Sequence, residues 1–192
     1  MLKFALNLDK RERFYKIYTL IMRLNRKFFN RKTLVVAKEI LGKYLCRRIN
    51  DKTIRSKITE VEAYCGPQDR ASHASKGVTP RTKIMFGPPG YAYIYMIYGM
   101  YHCLNIITEK EGYPAAVLIR ALDIENGKGP GRLCRKFKID KKLNGMDLVK
   151  SKKLWLEDLG AIIKPSQIKK GKRIGVDYAG KWKERLWRFY SV

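Results

Sequence analysis

Apolar residues recur at Phe14, Ile17, Tyr18, Ile21, Leu24 and Phe28, with Arg11, Arg13, Lys16, Arg23 and Arg26 interspersed. That spacing is one face of a helix, so the pattern predicts a basic amphipathic helix that packs on the domain, with membrane adsorption or an organellar presequence as the other readings. A second helix is predicted over residues 34–41, with Thr33 as its N-cap and Gly42 ending it. A basic strand over residues 43–49, a turn at Asn50 and Asp51, and an alternating stretch over residues 53–64 then read as a hairpin. A strict period of two puts Ile54, Ser56, Ile58, Glu60, Glu62 and Tyr64 on one side and sets Glu62 beside Tyr64.

Residues 65–90 break this rhythm with repeated glycines and prolines, and a long ordered loop of this kind is usually a working one. His73 lies within it. Alternation resumes over residues 91–97, with Tyr91, Tyr93 and Tyr95 on one face, and Gly99 marks a turn before a strand over residues 101–108. Tyr98 is thereby placed at a hairpin tip. Residues 115–123 form an apolar strand that carries a single cation, Arg120, and a charge there calls for an acidic partner. A glycine-rich lead-in opens a helix near Pro130, and short strands are predicted over residues 154–156, 173–176 and 186–190.

At 192 residues with no Ser/Gly-rich linker, the chain suits one substantial core, with residues 1–32 a basic helical extension and residues 33–192 the domain proper. Lys and Arg number 42 against 17 Asp and Glu, a net charge of +25, which favours a polyanionic partner. The four cysteines form no CxxC pair and read as free thiols. No apolar run reaches membrane-spanning length and no signal sequence is evident, so a soluble intracellular protein is expected.

The chemistry narrows by elimination. The spacing G-x-x-x-x-G-K-[ST] is absent, which removes a Walker loop. H-x-E followed by P-C-x-x-C is absent as well, which sets aside zinc-dependent base deamination, and no nucleophile elbow accompanies either histidine. On a nucleic-acid partner, the tyrosines would stack on an extruded base and Tyr98 would fill the gap it leaves. The same tyrosines could equally pack a core. Glu62 could activate water against an oxocarbenium-like sugar, or simply pair with one of the many cations.

The segments EVEAYCGPQDRASH, TPRTKIMFGPPGYAYIYMIYGMYHCLNI, AAVLIRAL, GPGRLCRKFKI, RIGVDYAG and WRFY, in that order, resemble the alkyladenine (3-methyladenine) DNA glycosylases of the mammalian type over about residues 33–190. The resemblance implies an α+β fold: a single mixed domain with a curved antiparallel sheet flanked by helices, like the formyltransferase C-terminal domain, and no metal or organic cofactor. It implies that damaged purines such as 3-methyladenine, 7-methylguanine, hypoxanthine or ethenoadenine are extruded from double-stranded DNA and cut at the N-glycosidic bond by a monofunctional, monomeric enzyme. A non-catalytic nucleic-acid binder is the alternative reading.

Carried over by position, Glu62 resembles the general base, Arg120 its partner, and Ile174, where valine is more usual, the residue whose carbonyl would hold the water. Tyr64, His73, Tyr95 and Asn105 resemble the base pocket, with Asn105 disfavouring an exocyclic 2-amino group. Tyr98, Met100 and Tyr101 resemble the intercalating residues, and Thr79, Arg81 and Arg132 fall at positions suited to the DNA backbone.

Overall fold

The structure, a computed structural model, describes residues 22–191. Among these residues nine strands form one antiparallel system: β1 (Met22–Arg23), β2 (Tyr44–Ile49), β3 (Lys52–Cys65), β4 (Ala92–Ile97), β5 (Tyr101–Ile107), β6 (Ala115–Leu122), β7 (Leu154–Asp158), β8 (Ile168–Gly171) and β9 (Arg188–Ser191). The helices α1 (Arg26–Phe29), α2 (Thr33–Glu39) and α3 (Pro130–Lys136) are short, and single 3-10 turns such as His73–Lys76 and Lys83–Phe86 shape the loops. The strand order is β1-β7-β2-β3-β6-β5-β4, with β9 on the second edge of β3 and β8 beyond it. This is the expected α+β architecture, with a largely antiparallel sheet.

Strand β3 is the spine. Its first half pairs β2 through the Asn50-Asp51 turn, where Asn50 adopts a φ of 53°. Its second half pairs β6, and the register slips twice around Glu60. Such bulges bend and twist a strand and exchange its faces. Ile58 and Val61, three residues apart, consequently both enter the main core, along with Ala63. The single face expected for residues 54–64 is therefore wrong: Glu62 and Tyr64 look away from the side that Ile58 occupies. Without that slip Glu62 would point into the aliphatic core.

Three further expectations are corrected. The predicted amphipathic helix runs mostly over residues outside the described ones; of its described part, Met22–Arg23 is a strand on β7 and only Arg26–Phe29 is helical. Asn25 breaks the run, because its side chain caps the Phe28 amide while the Leu24 amide is bound by Leu156. In α2, Thr33 is not the cap but the first helical residue. Glu109 replaces it from across the fold, accepting from the Thr33 amide at 3.0 Å and from its hydroxyl at 2.6 Å, an anion where the helix dipole favours one. Residues 173–176 are not a strand, since the Ile174 amide is taken by a carboxylate instead of a neighbouring strand and Gly175 turns at a φ of 77°.

Helix α3 lies against β5 and β6 through Leu133 and Phe137. The approach is close enough that a Cβ at Gly131 would come within 2.7 Å of the Tyr101 ring, so only glycine fits there. No helix among the described residues is long and apolar enough to cross a membrane.

Candidate active site

Glu62 is fully buried and well supplied with donors. The Tyr64 hydroxyl donates to Oε2 at 2.8 Å, the Ile174 amide donates to Oε1 at 2.8 Å, and Arg120 Nη1 lies 3.3 Å from Oε1. Burial pushes the Glu62 pKa upward, against the opposing pull of Arg120, the Ile174 amide and the Tyr64 hydroxyl. The result is a carboxyl held in one orientation and more basic than an exposed glutamate. Arg120 is held in turn, with Nε 3.3 Å from Glu60 Oε1, and Glu60 also accepts from Arg188 Nη1 at 3.0 Å. The contact that Ile174 makes here is through its N–H.

A cleft of about 700 Å³ is lined by the three partners of this carboxyl, Tyr64, Arg120 and Ile174, and by His73, Tyr95 and Asn105 among others. The residues expected in the pocket thus share one cavity. His73 meets the Tyr95 ring edge-on at 4.5 Å, and its Nδ1 is 2.9 Å from the Tyr93 hydroxyl. Arg81 Nη2 stands 3.3 Å from His73 Nε2. An arginine only donates, so Nε2 is the acceptor and the ring proton sits on Nδ1, facing Tyr93. Burial, with Arg81 and then Lys76 adding to it, lowers the His73 pKa to about 4, so the imidazole is neutral at physiological pH. Asn105 is buried and commits its Nδ2 to the Tyr93 carbonyl at 3.2 Å.

The β4–β5 hairpin forms one wall of the cleft, and the Met100 amide closes its turn onto the Ile97 carbonyl. Tyr98 at its tip is 84% exposed, with a φ of 51°, and Gly99 follows at 68°. Two consecutive left-handed residues make the turn whose twist matches a hairpin, and a tyrosine in the first of them is unusual. Met100 is also exposed, whereas Tyr101 lies lower, against Gly131 and under the Arg135 guanidinium at 5.2 Å. Of the three residues expected to intercalate, Tyr98 and Met100 therefore project, and Tyr101 is half-buried against α3. Arg132 is exposed on the cleft rim, and the Thr79 hydroxyl is engaged with that of Thr82 at 2.9 Å. Arg81 also reaches inward, 5.0 Å from the Tyr95 ring.

Residues 27–128 and 123–192 match the family model for methylpurine-DNA glycosylase. The chain belongs to that family. Similar proteins provisionally named 3-methyladenine DNA glycosylases occur in Methanocella arvoryzae, at 48% identity over 186 residues, covering 88% of this chain and 92% of that protein. Another occurs in Legionella pneumophila strain Corby, at 50% identity over 178 residues, covering 88% and 93%. A third is from Clostridium perfringens strain SM101, at 43% over 195 residues, covering 88% and 95%. These relatives are archaeal and bacterial, so membership is shown for the glycosylase family and not for a mammalian type.

Two parts of this glycosylase's site escaped the sequence reading. Tyr93 was visible in the alternating tyrosines, yet nothing marked it as the partner of His73. Asp69 and Arg173 are fully buried and bonded to each other, with Arg173 directly preceding Ile174 in the chain. The one available signal was an acid inside a Gly-Pro loop, where Asp69 accepts from the amides of Cys65 and Ala71, both at 3.1 Å.

Proposed function

We propose that this chain hydrolyses the N-glycosidic bond of an alkylated or deaminated purine extruded from duplex DNA, with water as the nucleophile, and leaves an abasic site. The observation that carries the reading is the buried Glu62 carboxyl, bonded by Tyr64 and Ile174 and paired with Arg120, three residues that line an aromatic cleft. As the bond between C1′ and the purine nitrogen breaks, its electron pair leaves with the base and the sugar gains oxocarbenium character that a nearby anion stabilises. Water then adds to C1′ and its proton passes to Glu62. A purine alkylated on its ring carries a positive charge and departs neutral, so it requires no acid; hypoxanthine must gain a proton as it leaves.

In this reading Tyr64, His73 and Tyr95 sandwich the extruded base, and a neutral imidazole offers an uncharged face to a cationic purine. Asn105 crowds the position of a 2-amino group, and the Ile174 backbone orients the water together with Glu62. Tyr98 and Met100 occupy the vacated duplex position, Thr79 and Arg132 approach phosphates, and Arg81, expected at the backbone, instead holds His73 and Tyr95 in the pocket wall. The net charge of +25 supports the approach to DNA.

The test is a base-release assay on duplexes carrying 3-methyladenine, 7-methylguanine, hypoxanthine or ethenoadenine. Free base and an abasic strand that remains intact until treated with alkali are the expected products. Strand cleavage without alkali would show a lyase step and overturn the monofunctional reading, and binding without release from any duplex would make the chain a damage binder.

The pH dependence follows from Glu62. Its carboxyl must be ionised to take a proton from water, and burial raises its pKa, so release of a cationic purine is expected to climb as pH rises through a midpoint above the ordinary glutamate value and then level off. Release of hypoxanthine should also fall again at higher pH, where its proton source is lost. Single-turnover rates across pH check both limbs, and a flat acid limb would count against Glu62 as the base.

A further inference from the structure

We infer that Asp69 and Arg173 are positioning residues for the reaction, a buried ion pair that aims the two groups that donate hydrogen bonds to Glu62. The inference rests on the reading of Glu62 as the water-activating base.

Arg173 Nη1 and Nη2 meet Asp69 Oδ2 and Oδ1 at 2.5 and 2.8 Å, a two-pronged contact, and both side chains are fully buried. The guanidinium also donates to the Ala63 carbonyl at 2.9 Å, on β3 next to Glu62, and to the Trp182 carbonyl at 3.2 Å. Its carbon lies 4.8 Å from the Tyr64 ring centre and 5.1 Å from that of Trp187, so it packs over both aromatics. Arg173 directly precedes Ile174, whose amide donates to Glu62, and the ring it covers belongs to Tyr64, whose hydroxyl donates to Glu62 as well. Fixing one guanidinium therefore fixes both donors. Arg120, ion-paired to Glu62, is set independently by Glu60, itself braced by Arg188 from β9.

Asp69 links this frame to the pocket wall. Its carboxylate accepts from Cys65 at the end of β3 and from Ala71, two residues before His73, so the loop that carries His73 is pinned to the same ion pair. A buried ion pair is a poor source of net stability, because desolvating both charges offsets their attraction. What it does provide is a rigid, directional connection between β3, the His73 loop and the segment around Ile174. Catalytic geometry is sensitive to such connections, since misplacing a reacting group by about 1 Å can cost about 100-fold in rate.

The test uses the full chain with Asp69→Asn and Arg173→Met combined, which removes both charges together and leaves neither buried alone. The expected result is a folded protein by circular dichroism that binds an abasic-analogue duplex as the parent does. Its single-turnover base release should be slower by about 10- to 100-fold, and its acid-limb midpoint should move upward as Glu62 loses aligned donors. Arg173→Lys, which keeps the charge without the two-pronged geometry, should fall between the two in both readouts. A folded double variant with the parent's rate and midpoint would overturn the inference, and so would failure of both variants to fold, which would make the pair a stability element alone. Glu62→Gln in the same assay separates the two levels: if it is inactive while the double variant is unchanged, only the positioning role falls. If Glu62→Gln keeps the parent rate, the general-base reading falls and this role falls with it.

Discussion

Replacing Glu62 with glutamine is expected to slow single-turnover base release by about 10²- to 10⁴-fold, the range that a positioned general base contributes, while lesion-bearing duplex is still bound. That is about 3 to 5 kcal/mol of transition-state stabilisation. Glutamine preserves the shape and can still accept from the Ile174 amide or the Tyr64 hydroxyl, so what it removes is the charge and the proton acceptor. The fold should survive. A carboxyl whose pKa is raised on folding contributes stability below its unfolded pKa and loses it as pH rises through the folded value, so at neutral pH the ionised Glu62 is not a stabilising charge. Arg120, deprived of Glu62, keeps Glu60 at 3.3 Å. Melting temperature and duplex affinity near the parent's, with release nearly gone, is the expected combination. Glu60→Gln provides the contrast: Glu60 reaches only the side chains of Arg120 and Arg188, so its loss should weaken release far less. The reverse ranking would put the chemistry on the wrong acid.

That the two acids could be told apart only partly from the sequence has a definite physical reason. The β2–β3 hairpin was legible because Asn50 and Asp51 are turn residues between two alternating runs, and Arg120 stood out as one charge in an apolar strand that needed an acid. Either Glu60 or Glu62 could have been that acid, and the structure has Arg120 touching both. What separates them is the double register slip around Glu60, which turns Glu62 and Tyr64 toward the cleft. No residue at the slip announces it: Thr59 and Glu60 are ordinary strand residues, and the slip is set by pairing with β6 and β9. Arg173 was hidden for a related reason. A basic residue in a Lys-rich segment looks solvated, and its burial depends on Asp69, more than a hundred positions earlier, lying opposite. Local chemistry was readable; long-range partnership was not.

Tyr98 offers the second large effect, and one that separates extrusion from chemistry. Tyr98→Gly should reduce base release from a well-paired duplex by about 10- to 100-fold, because extruding a base costs a few kcal/mol and the wedge that compensates for it is gone. The tyrosine is exposed at the hairpin tip and remote in sequence from Glu62, so the bond-breaking step itself should be untouched. Glycine is the informative replacement because Tyr98 holds a φ of 51°. Left-handed backbone costs a side-chain-bearing residue about 1 to 2 kcal/mol, which glycine relieves, while its greater freedom in the unfolded chain takes back about 0.4 to 1 kcal/mol. The melting temperature should accordingly hold or rise slightly, and a lost rate cannot then be ascribed to a damaged fold. The discriminating measurement is the ratio of variant to parent rates on two substrates, the lesion in a well-paired duplex and the same lesion in a single strand. A wedge matters only where there is a stack to leave, so the defect should be large in the first and nearly absent in the second. An equal loss on both would mean that Tyr98 shapes the cleft and does not take the place of the extruded base.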